Sequence, residues 1–256
     1  MSFTSLAVKI AAPLPKIEQY DRYLFIGPHP DDIEIGAGAT AAKLAAEGKT
    51  VAFLVCCDGR FGDGASGGVK GDALAALRKE EAVRSAAYLG IKDVRFLDLC
   101  DGGFYRKEEM IDGIARAVGD FAPDMIFAPD PLSKSESHPD HLNAGLAARR
   151  IANFAPYPGI MERYGTKAAD VKAIAFYMTA HPNRYVKTSP ALLTKQKEAV
   201  FDIHKSQYPD GSDEAKSISL YLSLRSGEFG VRNLCRAAEG FRVQGRTQMH
   251  CLPEAE

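Results

Sequence analysis

The chain has 256 residues, 46% of them hydrophobic and 25% charged, and a formal net charge of -1. That length and apolar content suit a single sizeable core, and the charge lacks the strong basic excess of a nucleic-acid or anionic-membrane binder. The five cysteines, Cys56, Cys57, Cys100, Cys235 and Cys251, include an adjacent pair and form no CxxC, so neither a disulfide framework nor a thiolate zinc site is expected.

Arg22 to Gly27 (RYLFIG) is a short apolar run stopped by Gly-Pro and reads as a buried strand. A polar loop, His29 to Glu34, leads into an alanine-rich helix from Gly36 to Glu47, closed by Gly48. Thr50 to Cys57 is a second strand. Asp58 to Gly71 holds six glycines and reads as a long loop of the kind that usually serves function. Asp72 to Leu89 is a helix ended by Gly90, Val94 to Leu97 a third strand, and Lys107 to Asp120 a helix. Pro123-Asp124 introduces a fourth strand, Met125 to Ala128. A second polar loop, Pro129 to Ser137, precedes a helix from Pro139 to about Asn153, with proline at its first position. Val171 to Met178 is a fifth strand and Ala191 to Lys205 a helix. Beyond Ser206 the pattern shows a Pro-Asp-Gly turn at Pro209 and a helix near Ile218 to Arg225.

Strands alternating with helices predict βαβ units: a single-domain, Rossmann-like three-layer α/β sandwich with a mostly parallel central sheet. Residues 1–21 are an extension before a domain spanning 22–256. No apolar stretch reaches the length of a membrane span, and Met1 to Tyr20 does not read as a signal peptide, so a cytoplasmic protein is expected. In such folds ligands bind beyond the carboxyl ends of the strands.

Two clusters fall there. His29-Pro30-Asp31-Asp32-Ile33-Glu34 follows the first strand, and His138-Pro139-Asp140-His141 follows the fourth. Imidazoles with carboxylates suit a catalytic zinc, which takes three protein ligands and leaves a position for water. His29, Asp32 and His141 supply two nitrogens and an oxygen, one metal per chain. Asp31 is the second carboxylate, placed to take a proton from the attacking water as general base. His138 is a further imidazole, suited to stabilising an oxyanion or protonating a departing amine. Iron, cobalt or manganese would also accept these ligands.

A binding protein without hydrolase activity is the alternative. Gly27, Gly36 and Gly38 lie near a strand-to-helix turn, and Asp58 ends the second strand where a ribose-binding acid would lie. Against a dinucleotide, Asp31, Asp32 and Glu34 would oppose a pyrophosphate at that helix N-terminus.

The two motifs resemble those of the PIG-L or LmbE-like zinc-dependent N-deacetylases, as does the helix carrying Arg78, Glu81 and Ala82 and ending in Leu89-Gly90. Glu34-Ile35-Gly36, Ser206-Gln207 and Ala238-Glu239-Gly240-Phe241 look like the subgroup of N-acetylglucosaminyl-malate and chitooligosaccharide deacetylases. The likeness runs from about Tyr23 to Val243. It implies removal of an acetyl group from an N-acetylglucosamine-type amino sugar or its glycoside, with the ligands and catalytic groups named above. It further implies that Arg78 and Asp101 contact the sugar, and that the chain assembles as a homo-oligomer, a trimer or hexamer. The malate, inositol or second sugar attached to the amino sugar is left open.

Among the remaining candidates, Tyr177, His181 and Arg184 lie near the same sheet edge and could wall a pocket. Phe61, Phe104, Tyr105 and Tyr208 are candidate platforms for a sugar ring, set against ordinary packing. His204 and His250 read as surface or packing residues.

Overall fold

The computed structural model describes residues 3–250; Cys251, and the outer ends of the 1–21 and 22–256 intervals, lie outside them. Strands β1 (Arg22–Gly27), β2 (Thr50–Cys57) and β4 (Met125–Pro129) are buried almost throughout. Layers of helix on both sides explain why these strands are continuous apolar runs rather than alternating ones. With β3 (Asp93–Leu99), β5 (Ala173–Tyr177), β6 (Arg184–Thr188) and β7 (Ala237–Gly245), they form one seven-stranded sheet in the order β3-β2-β1-β4-β5-β7-β6. Pairing is parallel from β3 to β5, and β7 runs antiparallel to both β5 and β6.

Helices α2 (Asp32–Ala46) and α3 (Gly71–Leu89) cover one face, where Tyr23, Phe25 and Phe127 pack with Leu44 and Ala86. The Phe25 and Phe127 rings stack with centroids 4.1 Å apart. Helices α4 (Lys107–Phe121) and α5 (Pro139–Phe154) cover the other face, where Leu24, Ile26 and Ile126 meet Ile114 and Ile151. The chain therefore winds outward from β1 in one direction and from β4 in the other. The carboxyl ends of these two neighbours form the crevice where such sheets bind ligands.

The expected layers, single sheet and strand alternation all appear, while several boundaries differ. Helix α2 starts at Asp32, four residues before Gly36, so Asp32 and Glu34 belong to its first turn rather than to a loop. Strand β5 is shorter than the expected Val171 to Met178. The helix expected from Ala191 to Lys205 is α7 (Pro190–Glu198), running into a π-helical turn at Ala199–Ile203. The helix near Ile218 is the middle of α8 (Asp213–Arg232), after the short α6 (Pro158–Met161). Strands β6 and β7 were not expected. RYVKT carries two cations on an edge, and AAEGFRVQG mixes small, charged and glycine residues, so neither shows a strand period.

A first helix, α1 (Phe3–Ala11), precedes the sheet. The segment after it is tied to the β6–β7 edge. Arg184 donates to the carbonyls of Leu14 at 2.6 Å and Pro15 at 3.1 Å, and Gln248 donates to that of Ala12 at 2.6 Å. Among the described residues, no helix is long and apolar enough to cross a membrane.

Candidate metal centre and active site

The turn after β1 folds back tightly: a Cβ on Gly27 would lie 2.7 Å from Ile33 Cγ1. Asp31 closes it at φ 120°, a conformation that a residue with a side chain rarely holds without support from its surroundings. Asp32 then opens α2. On the neighbouring strand, β4 hands over to a polar loop, and His138 caps α5 by accepting the backbone N–H of Asp140 at its Nδ1, 3.3 Å away. Pro139 follows with no N–H to leave unpaired.

These two turns bring both histidine motifs together. Asp32 Oδ2 lies 3.2 Å from His29 Nδ1 and 3.4 Å from His141 Nε2. Ligand atoms of His29, Asp32 and His141 all fall within 4.8 Å of one another. The ring of His138 completes a triangle, 4.8 Å from that of His29 and 5.1 Å from that of His141.

Each of the two histidines has an outer carboxylate. His29 Nε2 meets Asp140 Oδ2 at 2.9 Å, and Asp140 also accepts the backbone N–H groups of Gly102 and Gly103 at 2.7 and 2.8 Å. His141 Nδ1 meets Glu136 Oε2 at 2.9 Å. Outer carboxylates of this kind fix the tautomer and turn the opposite nitrogen toward a metal. His29, His138 and Asp140 also lie close enough to share an ion. In that group, however, the Asp140 oxygens serve three partners and His138 Nδ1 serves the helix cap. The His29, Asp32 and His141 set is the one whose facing atoms are left for a cation, and its two nitrogens and one oxygen fit the donor set of a catalytic zinc.

The electrostatics agree. Asp31, Asp32 and Asp140 are all buried, with Arg78 beside them. Burial opposes charge on His29, yet the hydrogen bonds its ring makes to Asp140 and Asp32 raise its pKa to about 10. Burial likewise opposes ionisation of Asp32, but the charge of His141 and the bonds from His29 hold its pKa well below the usual range. The cluster thus draws in positive charge, a proton or a metal ion. Burial pushes Asp31 the other way, up to about 6, with Arg78 restraining the shift and Asp32 adding to it. Burial and the neighbouring charge of His29 lower the pKa of His138.

Arg78 is 4% exposed although it stands in the charged run Arg78 to Glu81. Its guanidinium donates to the carbonyls of Pro30 at 2.8 Å and Gly59 at 3.2 Å, and to Asp31 Oδ2 at 3.3 Å. A Cβ on Gly59 or Gly62 would lie 2.5 or 2.6 Å from Arg78 Nη1, so these glycines make its room. Asp101 is buried and accepts the N–H of Phe61 at 3.2 Å, pinning the glycine-rich loop beside the site.

Of the three expected wall residues, two are engaged elsewhere and one is free at the surface. Tyr177 is buried against Gly36 and donates to the Ile26 carbonyl, Arg184 binds the N-terminal segment, and His181 is exposed. Tyr208 is buried, and Tyr105 is half-buried with its hydroxyl on Asn143. Phe61 and Phe104 are exposed and form an edge-to-face pair with centroids 5.6 Å apart. His204 is fully buried, its Nε2 3.3 Å from Glu34 Oε1, and His250 is exposed.

Sequence reasoning assigned no role to Asp140, Glu136, Gly102 or Gly103. Asp140 and Glu136 carried one usable signal, a carboxylate within five residues of a histidine ligand candidate. The dinucleotide alternative is not favoured, because Asp31, Asp32 and Glu34 are buried where a pyrophosphate would approach.

Residues 24–152 match the family described as PIG-L: GlcNAc-PI de-N-acetylase. The diacetylchitobiose deacetylase of Thermococcus kodakarensis is 32% identical, the match covering 98% of this chain and 92% of that protein. A 1D-myo-inositol 2-acetamido-2-deoxy-alpha-D-glucopyranoside deacetylase of Thermomonospora curvata is 30% identical over 77% of this chain and 73% of that one. Among solved structures, the N,N'-diacetylchitobiose deacetylase of Pyrococcus horikoshii, complexed with its inhibitor MPG, superposes with a TM-score of 0.87. It is 29% identical, with 99% of this chain and 97% of that one covered.

Proposed function

The chain belongs to the PIG-L de-N-acetylase family, and on that footing we propose that it hydrolyses the acetamide of an N-acetylglucosamine-type sugar or glycoside with one zinc ion per chain. The observation that carries this reading is the convergence of His29, Asp32 and His141, with Asp140 and Glu136 behind the two imidazoles. A zinc ion bound there supplies Lewis acidity and lowers the pKa of a coordinated water to about 7.

The remaining steps belong to the protein's own groups. Asp31 takes the proton of the attacking water. Its pKa near 6 suits a base at neutral pH, and the guanidinium of Arg78 holds it in place. The Nδ1 of His138 is committed to the Asp140 N–H, so in the neutral ring the proton sits on Nε2. That N–H donates to the oxygen of the acetamide carbonyl as negative charge grows on it. Its lowered pKa keeps the ring neutral. The proton held by Asp31 passes to the departing amine, leaving acetate and the free amino sugar. Arg78 and Asp101 are assigned to the sugar side of the site, Asp101 through the glycine-rich loop it anchors.

Residues 22–256 are read as the deacetylase domain and 1–21 as an extension, of which Ala12, Leu14 and Pro15 are tied to the sheet edge. A reducing, cytoplasmic setting is part of the same reading, on the odd cysteine count and the lack of a CxxC. Assembly as a trimer or hexamer is expected from kinship and is measured by light scattering.

The test is metal content of the purified protein together with acetate release from N-acetylglucosamine and its small glycosides. About one zinc per chain with acetate released from these sugars supports the reading. Failure to bind zinc, or hydrolysis of acetylated peptides with none of any sugar, removes it.

A further inference from the structure

Residues 130–137 join β4 to the turn that holds His138 and His141. Among the described residues, every hydrogen bond made by residues 131–135 stays inside this loop. The Leu132 N–H donates to Asp130 Oδ1 at 3.0 Å and the Ser133 N–H to the Asp130 carbonyl at 3.3 Å. The Glu136 N–H donates to the Ser133 carbonyl at 3.1 Å, and the hydroxyls of Ser133 and Ser135 lie 3.4 Å apart. The loop also borders two hollows, one of about 300 Å³ beside Ser133, Ser135 and Glu136 and one of about 390 Å³ beside Asp130 and Leu132. With little packed against its middle, its course depends on its two ends.

At the far end, Glu136 accepts the His138 N–H at 2.8 Å and meets His141 Nδ1 at 2.9 Å. Both partners belong to the histidine turn, so the loop's own tie to the sheet is Asp130. That residue is 5% exposed, and its N–H donates to the Tyr177 carbonyl at 3.0 Å. Its carboxylate is gripped at two points by Arg242 of β7, from Nη2 to Oδ1 at 2.5 Å and from Nε to Oδ2 at 2.9 Å. The guanidinium carbon lies 4.3 Å from the centre of the buried Phe176 ring. Burial opposes charge on Asp130, yet the bonds from Arg242 and Thr179 hold its pKa below the usual carboxylate range. A planar fork bonded at both tips fixes the angle of its partner as well as the distance, which a lysine ammonium does not.

We propose that Arg242 is a positioning residue for the candidate metal centre: by gripping Asp130 it sets the course of the 130–137 loop, and so delivers Glu136 to His141 Nδ1 and turns His141 Nε2 toward the zinc. The proposal rests on the zinc reading above. Arg242 itself bonds neither His141 nor Glu136; it acts through the loop.

The experiment compares Arg242→Gln and Arg242→Lys with the wild type, each as the full chain. Trypsin cuts after Lys134, exposed in this loop, and after Lys70, exposed in the glycine-rich loop and used as the internal reference. Cleavage at Lys134 should quicken about tenfold in Arg242→Gln and by less in Arg242→Lys, with Lys70 unmoved. Zinc affinity, from competition with a chelator, should fall about three- to tenfold, at the low end of what the outer partner of a ligand is worth. In acetate release from N-acetylglucosamine, kcat should fall and KM should hold. Added to Glu136→Gln, Arg242→Gln should cost almost no further zinc affinity, because both act on one imidazole; added to Asp140→Asn, the two losses should multiply. Arg242→Lys keeps the charge of the pair and carries the test if Arg242→Gln does not fold. Equal quickening at Lys134 and Lys70, unchanged zinc affinity, or losses that multiply with Glu136→Gln would mean that Arg242 serves stability alone, and would overturn the proposal. In those outcomes zinc still binds and the deacetylase reading stands; a wild-type chain that binds no zinc sinks both.

Discussion

The two turns that meet at the candidate metal centre are built differently. The turn after β1 is buried from Gly27 to Glu34, and its outer partner, Asp140, has no exposed side-chain surface. The loop after β4 is half open, and its outer partner, Glu136, has 24% of its side chain exposed. One turn is held by packing and backbone donors: Asp140 takes two glycine N–H groups, and Arg78 braces Asp31 against its unfavourable φ. The other is held by side chains that water can replace. On the proposed reading, the rigid half would fix the base and one imidazole, and the softer half would admit and release the sugar.

The largest expected effect tests the rigid half. Asp31→Asn keeps the shape of the side chain but cannot take a proton, so activity should fall by about 10²- to 10⁴-fold while bound zinc is retained. A fully active variant would remove Asp31 as the base. Next comes Asp140→Asn, which loosens His29 and leaves the two glycine N–H donors facing an amide; zinc affinity should drop about 10- to 100-fold in a competition titration with a chelator. Glu136→Gln should cost about tenfold at most in the same titration, because water can stand in for it. If the two losses are equal, the contrast between the halves is mistaken.

The smallest effect concerns Glu239 on β7. Burial pushes its carboxyl up to about 7, against the N–H donors of Ala39, Thr40 and Gln196 that favour its charge. A carboxyl whose folded pKa lies above its unfolded one adds stability below about pH 4.5 that is lost as pH rises through 7. Tm should therefore decline between about pH 5 and 8, and Glu239→Gln should flatten that decline. A contribution of about 1 kcal/mol corresponds to roughly 2–4 °C.

What was legible in the sequence was local. His29 to Asp32 and His138 to His141 stand directly after strands whose apolar runs announce them, so the fold class and the candidate ligands could be read together. What was hidden depends on contacts between distant residues. Nothing near Asp140 says that Gly102 and Gly103 will donate to it. Arg78 sits in a run of charges that reads as solvent-facing, yet it is buried because Gly59 and Gly62 leave space for its head group. Strand β7 lacks a period because its residues answer to different neighbours: Phe241 to the core, Glu239 to the middle of α2, Arg242 to an ion pair with the buried Asp130. His204 drew attention only as an isolated imidazole, since Glu34 lies 170 residues away.

The position of β7 also sets an order of events in folding. It is the last strand among the described residues, yet it lies between β5 and β6. Until it is made, β5 carries an unpaired edge and β6 has no neighbour in the sheet. A ribosome-bound chain that has completed the β1–β4 crevice and both histidine turns therefore still exposes a sticky border. Arrest of synthesis shortly before Ala237 should give a species that can assemble its metal site and yet aggregates. Closing the sheet and protecting the cell from that intermediate are the same event.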